Sequence, residues 1–301
     1  MIAPVIILTP REPFPLSRIR SFFESLFAII NTMDYTAFIE QELAKAAETA
    51  NSFFGKVSGI VKTGDNNQVL TEADIAIGKQ LVAAVQATYP DHNVIDEEAG
   101  GIDKQSRFTW VIDPIEATSN FAVGLPQYGI MIGLLEGAMP IAGGIIAPAY
   151  NKLYLAEKGK GATCNGTPMH VTNETDLMNV LVSYGIDGHQ ENPDRTIDEC
   201  RVMADIILGC RNMRNTGCEA LDPMYVAEGR YGGRINTTSK IWDNVAPQII
   251  TEEAGALWTS TNGEPLDYSN PLSKMDQNFA FCVASPELHK QLQAIIKGRL
   301  S

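Results

Sequence analysis

Two apolar runs in this chain end on acids: His-Asn-Val-Ile-Asp at positions 92–96 and Phe-Thr-Trp-Val-Ile-Asp at 108–113. Both are too short for helices and read as buried strands. If the strands are neighbours, their terminal acids face one crevice, the place where α/β folds tend to bind ligands. Beyond the second run the chain continues Asp113-Pro114-Ile115-Glu116-Ala117-Thr118-Ser119-Asn120-Phe121. The strand is expected to turn sharply at Asp113-Pro114 and lead into a polar segment, with Thr118 near the start of a helix.

Four acidic clusters stand out: Glu72 with Asp74, Asp96-Glu97-Glu98, Asp113 with Glu116, and Asp243 followed by Glu252-Glu253. Any one alone reads as a solvated turn or a helix-start acid. Gathered in one crevice they would repel, and one would be forced to protonate unless a cation sat among them. An all-oxygen donor set with no nearby His or Cys suits Mg²⁺ or Mn²⁺ rather than zinc. Hard cations that keep their waters commonly hold substrate phosphates. The Thr118 hydroxyl and the N–H groups of Ala117 and Thr118 at a helix start would complement such an anion. The residues alone therefore suggest a metal-assisted phosphate enzyme.

The 301 residues suit one large domain or two packed lobes. A net charge of −13 argues against a general nucleic-acid binder. Five cysteines, an odd number with no CxxC pair, point to a reducing cytoplasm rather than a disulfide framework. No Walker A, GxSxG, HExxH or GxGxxG signature is present. No apolar run reaches the roughly 18–20 residues of a membrane span. The first 33 residues combine a proline-broken apolar stretch with an amphipathic one, in the wrong order for a secretory signal. Three readings stand for them: an extension packed on the body, a segment preceding a true start at Met33, or a membrane-associating element.

Further along, residues 33–55 read as an amphipathic helix ending at Gly55, and residues 71–90 as a second helix capped by Thr71 and stopped by Pro90. Residues 128–155 read as an antiparallel meander, extended by a turn-rich hairpin. Beyond a boundary near 171–176, strands and helices alternate, including a helix expected over 219–228 and a last one from Ser285. Three segments follow: 1–33 as an extension without an assigned role, 34–174 as an α+β lobe with most of the acids, and 175–301 as an α/β lobe carrying Asp243.

The motifs Thr71-Glu-Ala-Asp74, Ile95-Asp-Glu-Glu-Ala-Gly100, Asp113-Pro-Ile-Glu-Ala-Thr-Ser-Asn-Phe121 and Trp242-Asp243 ahead of Glu252-Glu-Ala-Gly255 occur in the order and spacing of one family. On them the chain from about Tyr35 onward resembles the inositol monophosphatase family of magnesium-dependent, lithium-sensitive phosphatases. The resemblance implies a layered αβαβα sandwich of the sugar-phosphatase type, of mixed α+β and α/β character with two packed lobes, and a homodimer. It implies two or three Mg²⁺ ions, with Mn²⁺ an alternative. Residue by residue, Glu97 would hold metal 1, Asp113 would bridge metals 1 and 2, and Ile115 would lend its carbonyl to metal 1. Glu116 and Asp243 would hold metal 2, and Ala117 and Thr118 would hold phosphate. Asp74 with Thr118 would orient the attacking water, with Glu98 behind them.

The chain departs from the family at four places. Glu116 stands where an Asp is usual, one methylene longer, which displaces its carboxylate by roughly 1.3–1.5 Å. Ala117 stands for a Gly and resists φ > 0. Pro247 removes an N–H that would bond the carbonyl of Asp243. Asp96 replaces a small residue and is expected to add charge near the metals. Asn236 lies where inositol-selective members carry an acid, and Lys240 is a candidate for a second anionic group on the substrate. The expected activity is Mg²⁺-dependent hydrolysis of a small polyol or sugar-type phosphate, with no nucleic-acid or membrane partner. The alternatives are a weakened pseudo-phosphatase that acts by binding, and a histidinol-phosphate or 3′-nucleotide phosphatase of the same family.

Overall fold

The longest buried run of the sequence becomes the heart of the larger sheet. In a computed structural model, which describes residues 34–61, 69–297 and 299, strand β5 (Phe108–Glu116) has seven consecutive buried residues. Such a run suits a central strand covered on both faces. Two helices precede it, α1 (Tyr35–Phe53) and α2 (Glu72–Thr88), with a two-residue hairpin of β1 (Ile60–Val61) and β2 (Val69–Leu70) between them. Next come β3 (Asn93–Asp96) and β4 (Gly100–Ile102). After β5, a five-residue helix α3 (Thr118–Ala122) leads into β6 (Gly129–Glu136), β7 (Met139–Ala147), β8 (Lys152–Glu157), β9 (Ala162–Cys164) and β10 (Thr167–Pro168). These form one sheet in the order β10-β9-β8-β7-β6-β5-β3-β4, antiparallel except where β3 lies parallel to β5.

The remaining chain builds a second sheet from β11 (Leu181–Gly185), β12 (Asn212–Arg214), β13 (Tyr231–Asn236), β14 (Leu257–Ser260) and β15 (Phe281–Ala284). Its order is β12-β11-β13-β15-β14, parallel over β12, β11 and β13 and antiparallel beyond. Helices α4 (Pro193–Gly209), α5 (Asp222–Ala227), α6 (Ile241–Glu253) and α7 (Pro286–Ile296) alternate with these strands. The 219–228 helix thus begins later than expected: the chain turns over 217–221, and Pro223 supplies the preset φ of a first helical turn. Thr36–Ser301 forms one compact unit. Residues 1–33, with the three readings given for them, lie outside the described residues. Among the described residues, no helix is long and apolar enough to cross a membrane.

Two neighbouring glycines in β7 mark the layers, because successive strand residues face opposite ways. A Cβ at Gly144 would sit 2.3 Å from Ile39 and 3.0 Å from Leu43 of α1. A Cβ at Gly143 would instead sit 2.7 Å from Ile249 and 3.0 Å from the Ala246 Cα of α6. Helix α1, tied to α2 by a 2.8 Å hydrogen bond from Thr49 to Gln80, therefore covers one face. Helices α5 and α6 fill the space between the sheets, where Met131, Ile145 and Tyr154 pack with Leu221, Met224, Ile249 and Ile250. Beyond the second sheet, Val202 and Ile206 of α4 and Leu288 and Leu292 of α7 close the outer layer. This is the layered αβαβα arrangement. Trp110, at the start of β5, donates through Nε1 to His92 Nδ1 at 3.1 Å and lies 5.2 Å from Phe38, so His92 is part of the packing rather than of a site.

Helix α6 packs its backbone directly onto the sheet where Gly133 and Gly143 pair across β6 and β7 beneath it. A Cβ at Gly133 would meet Val245 at 2.6 Å and the backbone nitrogen of Ala246 at 2.9 Å. Backbone cannot give way as a side chain tip can. We therefore expect Gly133→Ala to destabilise the protein by about 1–3 kcal/mol in urea unfolding. Gly188→Ala, with nothing within 4 Å, should change stability by no more than about 0.5 kcal/mol.

Candidate active site

Strand parity decides which acids meet. Asp113 pairs across the sheet with Met131 and shares the face of Val111, which packs against Ile241 and Val245 of α6. That face carries Asp113 toward the first turn of α6, where Asp243 sits. Asp96 pairs with Ile112 and so points the other way. Its carboxylate lies against Gly78, and Oδ1 accepts the N–H groups of Glu98 at 3.0 Å and Ala99 at 2.6 Å. The expectation that Asp96 adds charge beside the metals is corrected: it caps the turn that carries Glu97 and occupies space that Gly78 leaves open.

The sharp turn expected at Asp113-Pro114 is also corrected. Strand β5 runs on to Glu116, and a bulge sets Asp113 opposite Met131 but Glu116 opposite Gly129. An extra residue in one strand re-aims the side chains that follow it. The chain then reverses at Ala117, which adopts φ 65° and ψ 47° as the N-cap of α3. An L-residue there costs about 1–2 kcal/mol, so Ala117 does take the left-handed conformation that its Cβ disfavours.

Asp113 is 1% exposed, and its Oδ1 finds no hydrogen-bond partner among the described residues. Burial first, then the charges of Glu97, Asp243, Glu116 and Asp74, push it well above the usual carboxylate range. Burial does the same to Asp243, aided by Glu116, Glu97 and Glu219, although the Lys240 N–H bonded to its Oδ2 at 2.6 Å opposes the shift. Five acids from β3–β4, β5, α2 and α6 thus act on one another. An orphaned buried carboxylate oxygen amid like charges is what a bound cation would relieve. The oxygen-only donor set fits Mg²⁺ or Mn²⁺ around Asp113. Among the described residues, no three His, Cys, Asp or Glu side chains close to metal-holding distance.

Asp74 has two tasks. Its Oδ2 accepts the Thr71 N–H at 2.7 Å and the Thr71 hydroxyl at 2.5 Å, while Ala73 N–H bonds Thr71 Oγ1, so the start of α2 is held by a capping box. Its Oδ1 faces the Thr118 hydroxyl at 3.2 Å, and that hydroxyl also lies 2.7 Å from the Ile115 carbonyl. Burial raises Asp74 against the lowering effect of Thr71. The structure therefore brings Asp74, Ile115 and Thr118 together, with the leading N–H groups of α3 beside them.

Glu116 behaves differently. Its Oε2 accepts the Ala220 N–H at 3.0 Å, and the Glu219 N–H and Cys218 thiol also donate to the carboxylate. Burial and the Glu219 charge raise Glu116 to about 7. Glu219 is paired with Arg234, which also reaches Asp222 at 3.1 Å and Ser183 at 2.7 Å; Asn236 Nδ2 donates to Glu219 at 2.8 Å. Lys240 directs its ammonium to the Asp276 carbonyl at 2.6 Å. Glu219, Asp222 and Arg234 were missed by sequence reasoning; the available signal was an arginine inside the short strand Gly232-Gly233-Arg234-Ile235-Asn236. A cavity of 440 Å³ lies elsewhere, lined by Tyr150, Tyr225 and Tyr231, and none of the crevice acids enters it.

A sequence profile of the inositol monophosphatase family matches residues 32–297. A Pasteurella multocida protein named Nus factor SuhB is 33% identical over 198 residues, 65% of this chain and 73% of that protein. An Aquifex aeolicus protein named fructose-1,6-bisphosphatase/inositol-1-monophosphatase is 32% identical over 236 residues, 76% of this chain and 88% of its own. Among solved structures, the Thermotoga maritima IMPase superposes with a TM-score of 0.76 at 26% identity, covering 88% of this chain and 97% of that one.

Two outcomes follow from the strain and the charge. Ala117→Gly removes the left-handed penalty but frees the unfolded chain, so a net gain of about 0.5–1 kcal/mol is expected in chemical unfolding. The raised acids stabilise the metal-free fold while protonated. Between about pH 4.5, where an unfolded Glu ionises, and the raised value of about 7 for Glu116, the folded state binds more protons. Raising the pH through this window should therefore lower stability, by at most about 3.4 kcal/mol from Glu116 alone. Thermal melting of metal-free protein should fall from about pH 5 to pH 8, and saturating Mg²⁺ should restore it by binding only the folded state.

Proposed function

This chain belongs to the inositol monophosphatase family, and from that premise we propose that it is a Mg²⁺-dependent phosphomonoesterase acting on a small polyol or sugar-type phosphate. The observation that carries the reading is Asp113, buried with an unpartnered oxygen and pressed by Glu97, Asp243, Glu116 and Asp74. In this reading Glu97, Asp113, the Ile115 carbonyl and Asp243 would hold the cations, with Glu116 the fifth group that the family position implies. Bound Mg²⁺ would supply Lewis acidity, lowering the pKa of water so that it gives up a proton as it attacks phosphorus, and would offset charge on the leaving oxygen.

The chain's own residues do the rest. The backbone N–H groups of Ala117 and Thr118, at the start of α3, would receive the phosphoryl oxygens. The Thr118 hydroxyl carries one proton and has two acceptors, Ile115 O at 2.7 Å and Asp74 Oδ1 at 3.2 Å. When it donates to either, its lone pairs remain to orient a water. With Oδ2 committed to Thr71, Asp74 offers Oδ1 as the acceptor for the proton that such a water loses. Its raised affinity for a proton, caused by burial, suits that role. Asn236 and Glu219 would line the leaving-group side, with Asn236 offering an amide where inositol-selective members offer an acid.

Two observations favour a second reading, a weakened phosphatase that works by binding: Glu116 bonds Ala220, and Ala117 is strained. That the Pasteurella multocida relative is named a Nus factor rather than a phosphatase supports a binding role within that reading. A homodimer is part of the primary proposal; exposed Val123 and Leu125 beside α3 offer apolar surface that an assembly would cover.

Phosphate release from a panel of sugar, polyol, histidinol and nucleotide monophosphates separates these readings. A working enzyme should release phosphate only with Mg²⁺. Asp113→Asn should lower the rate at least about 100-fold, and Asp74→Asn about 10²- to 10⁴-fold through kcat. Absence of turnover across the panel sinks the catalytic reading and leaves the binding one.

A further inference from the structure

We propose that Glu116 is a positioning residue, clamping the turn at 217–221 to the end of β5 and contributing no ligand to a cation beside Asp113. The proposal rests on the metal-centre reading of the crevice and changes its membership.

Reach is the first argument. Glu116 Oε2 lies 3.0 Å from the Ala220 nitrogen. An Asp at this position would end one C–C bond earlier, roughly 1.3–1.5 Å short, beyond hydrogen-bond range. The additional methylene is thus what lets β5 touch a turn 104 residues away in sequence.

Demand from the turn is the second. Within it, the Cys218 carbonyl already accepts the N–H groups of Leu221 and Asp222, at 3.4 and 3.0 Å. The N–H groups of Glu219 and Ala220 lie in the turn just ahead of α5, and as buried backbone donors they take their acceptor from outside the turn. Glu116 supplies it, and the Cys218 thiol donates as well. Leaving a buried donor unsatisfied costs about 1–3 kcal/mol, so withdrawing the carboxylate toward a cation would strand these donors.

The third argument is what the turn carries. Glu219 is held from the other side by Arg234 and Asn236. Glu116 fixes its backbone and Arg234 fixes its side chain, so the wall that faces Asp243 is set from both ends. The remaining donors around Asp113, namely Glu97, Asp243 and the Ile115 carbonyl, form the cation's ligand set without Glu116.

The test uses full-length protein without substrate, so it does not depend on turnover. Amide hydrogen exchange at Glu219 and Ala220, and Mg²⁺ binding by calorimetry, are measured for wild type, Glu116→Gln and Glu116→Asp. Gln keeps a carbonyl acceptor at full reach. It should preserve protection of both amides and Mg²⁺ affinity within threefold. Asp should lose protection at least tenfold, with Mg²⁺ affinity unchanged or tighter. A tenfold or greater weakening of Mg²⁺ binding in Glu116→Gln makes Glu116 a ligand and overturns the proposal, as does full protection in Glu116→Asp. Wild type that takes up no Mg²⁺ refutes the metal-centre reading, while the exchange results still decide whether Glu116 clamps the turn.

Discussion

Everything at the crevice depends on how closely helix α6 can approach the larger sheet. Gly133 and Gly143, paired across two strands, leave a trough into which the backbone of Ala246 settles. One turn before Ala246 comes Asp243, and on the same face of the sheet comes Asp113. Side chains at the two glycine positions would push α6 outward and part the acids contributed by the two sheets' layers. Dispersion in the packed interior and the cost of misfit make this distance stiff. The start of α6 is fixed further by Ser239, which donates to the Phe279 carbonyl at 2.7 Å, and by Asp243 accepting the Lys240 N–H.

That stiffness is what makes the electrostatics matter. Flexible acids would separate and hydrate; these cannot. The nearest cationic groups do not answer them, since Arg234 is consumed by Glu219 and Asp222 and Lys240 bonds the Asp276 carbonyl. The crevice therefore keeps an unbalanced negative charge in a buried setting, relieved either by protons or by a cation. The same logic separates the two carboxylates of the β5 end. Asp113, lacking a partner for Oδ1, is open to a cation, whereas Glu116, bonded to the turn at 217–221, already has donors.

Much of this was legible in the chain. Short apolar runs ending in acids located β3 and β5, and the spacing of Thr71 and Asp74 marked the start of α2. What escaped was set by interactions that sequence spacing does not encode. Asp96 and Glu97 are neighbours, yet strand parity sends Asp96 to α2, where Gly78 makes room. The continuation of β5 through Pro114 depends on a bulge that only the pairing with β6 reveals. Lys240 was a candidate for the substrate because of its nearness to Asp243; that its ammonium bonds the Asp276 carbonyl is not encoded in that spacing. Glu116 was recognised as one methylene too long; where that length would be used depended on a turn far along the chain.

Glu116 and Ala117 are best understood as a pair. Ala117 must reverse the chain between the bulge of β5 and the start of α3, and it does so in a conformation glycine adopts freely. An alanine reaches fewer backbone states than a glycine, so once folded it holds that reversal in a narrower well, while its own left-handed geometry strains the fold. The carboxylate of Glu116, tied to Ala220, supplies a compensating restraint immediately before the strained residue. A local conformation that L-residues avoid persists only where neighbouring contacts over-determine it. The Ala220 bond is such a contact, and it joins the end of β5 to the turn that carries Glu219. Strain at Ala117 and the reach of Glu116 are thus two halves of one arrangement, in which the end of β5 is held by its connection to the second sheet rather than by a metal.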